Sequence, residues 1–286
     1  MKWTIGEVEI LQIVELQDAG SLIQSTIKEA TPERMRETDW LYPNFIDEAG
    51  NFKSFVQSFL IKSNGQNILI DTCNGNAKTR TDLPEWQNLD TNFIQRLRST
   101  GIIEEKINIV LCTHLHCDHV GWNTKLVGDS WIPTFPKAKY LFVEKEFNYW
   151  KQKPEKEMQA DKLAFADSVN PIVQAGLAKI IKAEEQINND IRLLPTFGHT
   201  PGHVSIVIES KGEKAIISAD FIHHPCQFAY PQWKMDADVL PNEAIVTRKK
   251  MLTKIANTNT LLIGSHFSNP VAGKVIKAGK NYMFRV

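Results

Sequence analysis

Nowhere in its 286 residues does the sequence hold an apolar run of the roughly 20 positions that cross a bilayer. Residues 1–9 are broken by Glu7 and Glu9 where a secretion signal needs an apolar centre, so a cytoplasmic location is expected. A dominant charge is also missing, since 33 basic and 33 acidic side chains leave a formal net charge of zero. That balance supplies no global field for nucleic acid or an anionic membrane, and neither is expected as a partner. The short basic stretch Arg248-Lys249-Lys250 reads as a solvated helix face. Cysteine is sparse: Cys73, Cys112, Cys117 and Cys226 form no C-x-x-C pair, which argues against a disulfide framework and against a cysteine-zinc site. Internal repeats, low-complexity tracts, a G-x-S-x-G elbow and a P-loop are absent as well. What remains is an ordinary globular composition, 42% hydrophobic and 23% charged. A chain of this length can bury a large core, and one α/β domain over residues 1–286 is the expectation.

The informative segment is His114-Leu115-His116-Cys117-Asp118-His119, four ligand-type side chains in six positions. It follows the apolar run at 107–112, so a strand delivers imidazoles and a carboxylate to one small volume. Neutral imidazole is the commonest protein ligand for zinc-like cations, and a carboxylate adds charge. Cys117 reads as a bystander, because the histidines and the aspartate already fill a metal shell.

Nearly continuous Ile, Leu and Val runs predict strands at 8–14, 55–62, 67–71, 107–113, 139–143, 191–194, 204–209, 214–218 and 260–264. Helices are expected over 90–99, with Gly101 as a stop, from Asn170-Pro171 through Ile181, and from about Asn242 to Ile255. Residues 18–52 and 144–167 fit neither period. The aromatic segment around Trp40-Leu41-Tyr42-Pro43 is the kind of long loop that forms lids or contact surfaces, or a simple packed excursion. Three later positions repeat one arrangement, a ligand-type residue at a strand tip: His199 in Gly198-His199-Thr200-Pro201-Gly202-His203, Asp220 after 214–218, and His266 after 260–264.

This ordered series resembles the metallo-β-lactamase superfamily, and the likeness runs over nearly the whole chain. The resemblance implies an αββα four-layer sandwich, an α/β fold with two mixed sheets face to face and helices outside. It implies that His114, His116 and His199 hold one metal ion, that Asp118, His119 and His266 hold a second, and that Asp220 bridges the two. Two divalent ions per chain follow, zinc first, with manganese, iron, cobalt or nickel also suited to this donor set. Asp71 matches a family aspartate that supports the site from behind, or is an ordinary strand-end carboxylate. The resemblance gives His203 a structural role, whereas for His223 and His224 substrate contact and structure stand level.

The implied chemistry is hydrolysis of a small ester-like molecule by a metal-bridging hydroxide, with Asp118 as the catalytic residue that orients the nucleophile or accepts its proton. Asp220 counts against β-lactam cleavage, since β-lactamases of the superfamily lack that bridge. Asp220-Phe221-Ile222-His223 and the segment to Phe228 resemble methyl-parathion-hydrolase-like and lactonase-like members. Lactones, aryl esters and phosphotriesters are therefore the expected substrates, with Phe221, His223, Phe228 and Trp122 as candidate contacts. Tyr230, Trp233 and Trp40 are further aromatics for an apolar pocket, although any one of them reads equally as core. A glyoxalase-II-like thioesterase, a mononuclear iron sulfur dioxygenase and a non-catalytic metal-binding module are the alternatives. A homodimer contact through the aromatic N-terminal loop is expected by analogy only.

Overall fold

The computed structural model of the chain describes residues 1–152 and 154–286. Two large sheets carry the architecture. The first has seven strands, in spatial order Lys2–Ile5, Val8–Leu16, Val56–Ser63, Gln66–Ile70, Ile109–Leu111, Lys139–Val143 and Ala178–Ile181. Its first four strands meander antiparallel, and the last three run parallel to Gln66–Ile70. The second has six strands, Ile191–Pro195, Val204–Ser210, Glu213–Ile217, Leu261–Ile263, Ala272–Ala278 and Asn281–Arg285. Only the pairing of Glu213–Ile217 with Leu261–Ile263 is parallel there.

The strand period of two sorts the side chains. Ile10, Phe59, Ile61, Ile68, Ile70 and Leu111 of the first sheet meet Ile191, Ile206, Ile208, Ile217 and Ile263 of the second in one buried cluster between the sheets. The alternate positions face outward and are covered by helices. Phe93 and Leu97 of Phe93–Ser99 and Ile172 of Asn170–Gln174 are buried, as are Met251, Leu252 and Ile255 of Pro241–Ile255. Each such fully buried side chain contributes about 1.5–3 kcal/mol, so two layers of apolar contact on each sheet account for the near-continuous Ile/Leu/Val runs. The result is the α/β sandwich that the sequence predicts, two large mixed sheets with helices outside.

Two differences stand out. The apolar string after Asn170 does not continue as one helix to Ile181: the helix stops at Gln174 and Ala178–Ile181 is an edge strand, which leaves Val173 41% and Ile180 43% exposed. Gly176, at φ +69°, makes the break between them. The C-terminal hairpin, Ala272–Ala278 with Asn281–Arg285, is a pair of strands absent from the sequence expectation.

Parallel pairing fixes where function can sit. Ile70 pairs with Leu111, and Ile217 pairs with Ile263, so the carboxyl ends of all four strands lie at one rim. Backbone bonds join the sheets at that rim: Val204 N donates to Thr113 O (3.1 Å) and Phe55 N donates to His266 O (3.0 Å).

Candidate metal centre

Each strand end delivers one part of the rim cluster. Ile109–Leu111 leads into His114 to His119, Glu213–Ile217 into Asp220, Leu261–Ile263 into His266, and the turn after Ile191–Pro195 into His199. Local backbone is bent to do so. Asp71 (φ 56°) and Ala219 (φ 47°) adopt left-handed conformations that cost a non-glycine residue of order 1 kcal/mol. Gly121 closes the motif where a Cβ would lie 1.7 Å from the Asn74 carbonyl oxygen, so only glycine fits.

The geometry converges on Asp220. Its Oδ2 lies 3.2 Å from His266 Nε2, 3.2 Å from His223 Nε2, 3.3 Å from His119 Nε2, 3.5 Å from His199 Nε2 and 3.9 Å from His114 Nε2. Asp118 Oδ2 stands 3.6 Å from His266 Nε2 and 3.7 Å from His119 Nε2. His199 Nε2 and His116 Nδ1 are 2.9 Å apart. Four groups could each hold a cation: His114, His116 and His199; Asp118, His119 and His266; His114, His119 and Asp220; and His199, His223 and Asp238. The structure therefore brings together all seven ligand candidates, and His223 with them.

Burial and charge make the cluster ready for cations. Burial, aided by neighbouring imidazoles, pushes His114 and His199 well below the usual histidine range, so they are neutral and offer lone pairs. Burial opposes charge on His119 too, but Asp220, Asp118 and Asp71 outweigh it and hold His119 well above that range. Against the same burial cost, Asp220 and Asp118 raise His266. For Asp220 burial is outweighed by His266, His119 and His223, which keep its carboxyl well below the ordinary carboxylate value. His114 Nε2 and Asp220 Oδ1 are buried and find no hydrogen-bond partner among the described residues. Orphaned lone pairs of this kind, converging within one volume, fit a divalent cation better than a proton or an apolar void.

Residues behind the ligands aim them. His119 Nδ1 bonds Asp71 Oδ2 (2.8 Å), and Asp71 also accepts from Thr113 N (2.7 Å) and Thr113 Oγ1 (2.8 Å). His266 Nδ1 donates to Phe55 O (2.9 Å) and His199 Nδ1 meets Asp238 Oδ1 (2.9 Å). Glu146 accepts from Leu115 N (3.1 Å), Trp150 Nε1 (2.7 Å) and Gly202 N (2.9 Å), clamping two ligand loops together. Asp161 Oδ1 accepts from Cys117 N (2.8 Å). Leu115 and Cys117, which alternate with the ligand candidates, are buried in the core, and Cys117 also borders the cavity. Asp238, Glu146 and Asp161 carry no local signal in the sequence, being single carboxylates far from the motifs they serve.

The remaining histidines separate cleanly. His203 bonds Thr196 O (2.9 Å) and accepts from Asp220 N (2.8 Å), the structural role expected of it. His224 bonds Phe45 O (2.8 Å) and stacks on Phe52 with centroids 3.5 Å apart, away from the cavity. His223 lines the cavity.

A cavity of about 380 Å³ opens over the cluster. Its floor is His116, Asp118, His199, Asp220, His223 and His266; its walls include Leu22, Ile23, Leu83, Trp86, Met158 and Met235. Three aromatics expected there are instead in the core. Trp122 donates Nε1–H to Glu15 (2.6 Å) and stacks on Phe93, Phe228 stacks on Phe284 at 5.1 Å, and Phe221 is 1% exposed beneath Arg248. At the Asp220 turn the chain sends one side chain to the cavity and the next to the interior, which reverses Phe221. Tyr230 and Trp233 stack on each other at 4.0 Å and, like Trp40, are not among the residues lining this cavity.

Comparison with known proteins agrees with this fold. The family model described as Metallo-beta-lactamase superfamily matches residues 52–266. A curated N-acyl homoserine lactonase from a Bacillus species is 25% identical over 168 residues, 54% of this chain; the chain spans 59% of that relative's length. Among solved structures, a hydrolase of the beta lactamase superfamily, AbOPH, superposes with a TM-score of 0.79 at 23% identity, covering 100% of this chain and 96% of the other. AidC, described as a dizinc quorum-quenching lactonase in complex with a product, gives 0.78 at 22% identity, covering 99% and 96%. A probable metal-dependent hydrolase from Staphylococcus aureus gives 0.75 at 20%, covering 99% of each chain. Among the described residues no helix is long and apolar enough to cross a membrane.

Proposed function

Because the chain belongs to the metallo-beta-lactamase superfamily, we propose that it is a dinuclear metal-dependent hydrolase of lactones or related esters that carry an apolar tail. The observation that carries this reading is the junction of seven His and Asp ligand candidates with an apolar-walled cavity directly above them. His114, His116 and His199 would hold one ion, Asp118, His119 and His266 the other, and Asp220 both. When bound, two such ions lower the pKa of a water from 15.7 toward about 7 and polarise the bond under attack.

The protein's own groups do the rest. Asp118 Oδ2 faces His119 and His266, which leaves Oδ1 to accept the proton of the attacking water and later return it to the leaving oxygen. His223 Nε2, 3.2 Å from Asp220 at the cavity floor, is placed to hydrogen-bond a carbonyl or leaving oxygen. Leu22, Ile23, Leu83, Trp86, Met158 and Met235 exclude water and hold the tail, since burying apolar surface is worth about 25 cal/mol per Å². The apolar walls and the lactonase named among the relatives favour lactones over phosphotriesters.

The test is metal analysis followed by an assay panel of acyl lactones, aryl esters, thioesters and phosphotriesters. About two equivalents of zinc or a similar ion, with lactones or esters the best substrates and His116→Ala inactive, is the expected result. One redox iron per chain, or hydrolysis unchanged in His116→Ala, sinks it.

A further inference from the structure

Arg248, which its sequence neighbours place on a solvated helix face, is 0% exposed. Its guanidinium donates from Nε to Phe221 O (3.0 Å) and from Nη1 to Trp233 O (2.8 Å) and Pro231 O (3.2 Å). The remaining nitrogen, Nη2, faces Asp238 Oδ2 at 3.8 Å. Burying a cation and a carboxylate at the centre of a protein is costly, and hydrophobic residues of the same size do as well or better for stability alone. The pair therefore calls for a role.

Asp238 sits at a crossing. Its Oδ1 meets His199 Nδ1 at 2.9 Å, and the backbone after it is fastened to the same loop, Val239 N to His199 O (2.8 Å) and Leu240 N to Gly198 O (2.9 Å). The three residues before it, Met235, Asp236 and Ala237, line the cavity, and Asp236 N donates to Thr26 O (2.8 Å), another lining residue. His223 lies within the same cluster, its reach to Asp238 and His199 within 4.8 Å.

We infer that Asp238, with Arg248 as its buried counter-charge, is a positioning residue that aims His199 at its metal ion and ties that ion to the substrate wall at 235–237. A neutral imidazole has one N–H. With Nδ1–H given to Asp238, the Nε2 lone pair must face the cavity, where it lies 2.9 Å from His116 Nδ1. Asp71 does the same for His119 at the other ion position, so each ion has one histidine backed by a carboxylate. Arg248 Nη2, 3.8 Å from Asp238 Oδ2 and too far for a hydrogen bond, acts as a counter-charge that offsets part of the cost of burying the Asp238 carboxylate. The inference rests on the dinuclear reading above.

Chelator-competition titration of wild type and Asp238→Asn, with ions counted by mass spectrometry, tests it. Asp238→Asn is expected to weaken one of the two ions by about 10–100-fold while the other keeps its affinity. In the metal-free variant, long-range proton–nitrogen NMR is expected to show His199 no longer held as the Nδ1–H tautomer. If Asp238→Asn does not fold, the double variant Asp238→Asn/Arg248→Met, which removes both buried charges, is expected to show the same loss of one ion. Two ions held with wild-type affinity overturn the inference, and so does loss of both ions together with a lowered stability of the metal-free protein. Wild-type protein that holds fewer than two ions overturns the dinuclear reading itself, and this inference with it.

Discussion

His119 Nδ1 and Asp71 Oδ2 lie 2.8 Å apart, and Asp71 simultaneously holds the backbone and hydroxyl of Thr113, the residue before the ligand loop. One carboxylate thus fixes both the start of the loop and its last imidazole. Asp71→Ala strands three buried donors. Stability of the chelated protein should fall by about 3 kcal/mol, read by urea denaturation. Affinity for the ion at His119 should fall by about 10-fold or more, because the ring loses its tautomer. An unchanged denaturation midpoint contradicts this account.

His224 gives a pH prediction independent of the metal cluster. Burial depresses its pKa to about 3, and the bond to Phe45 O only partly offsets that. The ring is therefore neutral when folded but takes a proton on unfolding below its ordinary value near 6.5. Stability present above pH 6.5 is lost as the pH falls toward 3, by about 2 kcal/mol at pH 5. His224→Gln should have a pH–stability curve shallower by about one proton over that window. Equal slopes for variant and parent would refute it.

Gly121 admits no side chain. A Cβ there would overlap the Asn74 carbonyl, itself part of the turn whose amides bond Glu15. Gly121→Ala should cost about 3 kcal/mol or more through the backbone shift it forces, and calorimetry of the purified variant measures it.

The Arg80–Asp167 ion pair fastens the loop carrying Leu83 and Trp86 to the segment after Met158, with Nη1–Oδ2 at 2.7 Å and Nη2–Oδ1 at 3.2 Å. Lys78, also buried, lies 3.5 Å from the same carboxylate. Burial pushes Lys78 down to about 7, and without Asp167 it sheds its proton, so Asp167→Leu leaves the buried Arg80 as an unpaired cation and should destabilise by about 3–5 kcal/mol. A variant that unfolds at the wild-type denaturant concentration shows that the pair is idle.

Trp86→Ala opens the cavity wall. For the best long-tailed substrate, KM should rise about 10-fold while kcat changes little; for the shortest member of the series both should stay near wild type. A uniform fall in kcat across the series would place Trp86 in the chemistry rather than in tail binding.

What the sequence reveals is what is local. His114 to His119 sit within six positions, and His199, Asp220 and His266 each follow an apolar run, so strand tips and ligand types can be read together. Asp238, Glu146 and Asp161 stand 39, 31 and 44 positions from their partners and follow no spacing rule. Phe221 and Trp122 mislead because closeness to a ligand in sequence does not fix which way a side chain turns. Trp86 and Met158 escape notice for the converse reason: their loops carry no period, and only the folded chain brings them over the rim cluster.

The rim cluster draws on both sheets. His114, His116, Asp118 and His119 follow a strand of the first, whereas His199, Asp220 and His266 follow strands of the second. Neither half can build a complete coordination sphere alone. A refolding chain therefore has no complete ligand set until the sheets have docked, so tight capture of a metal would time the last step of assembly.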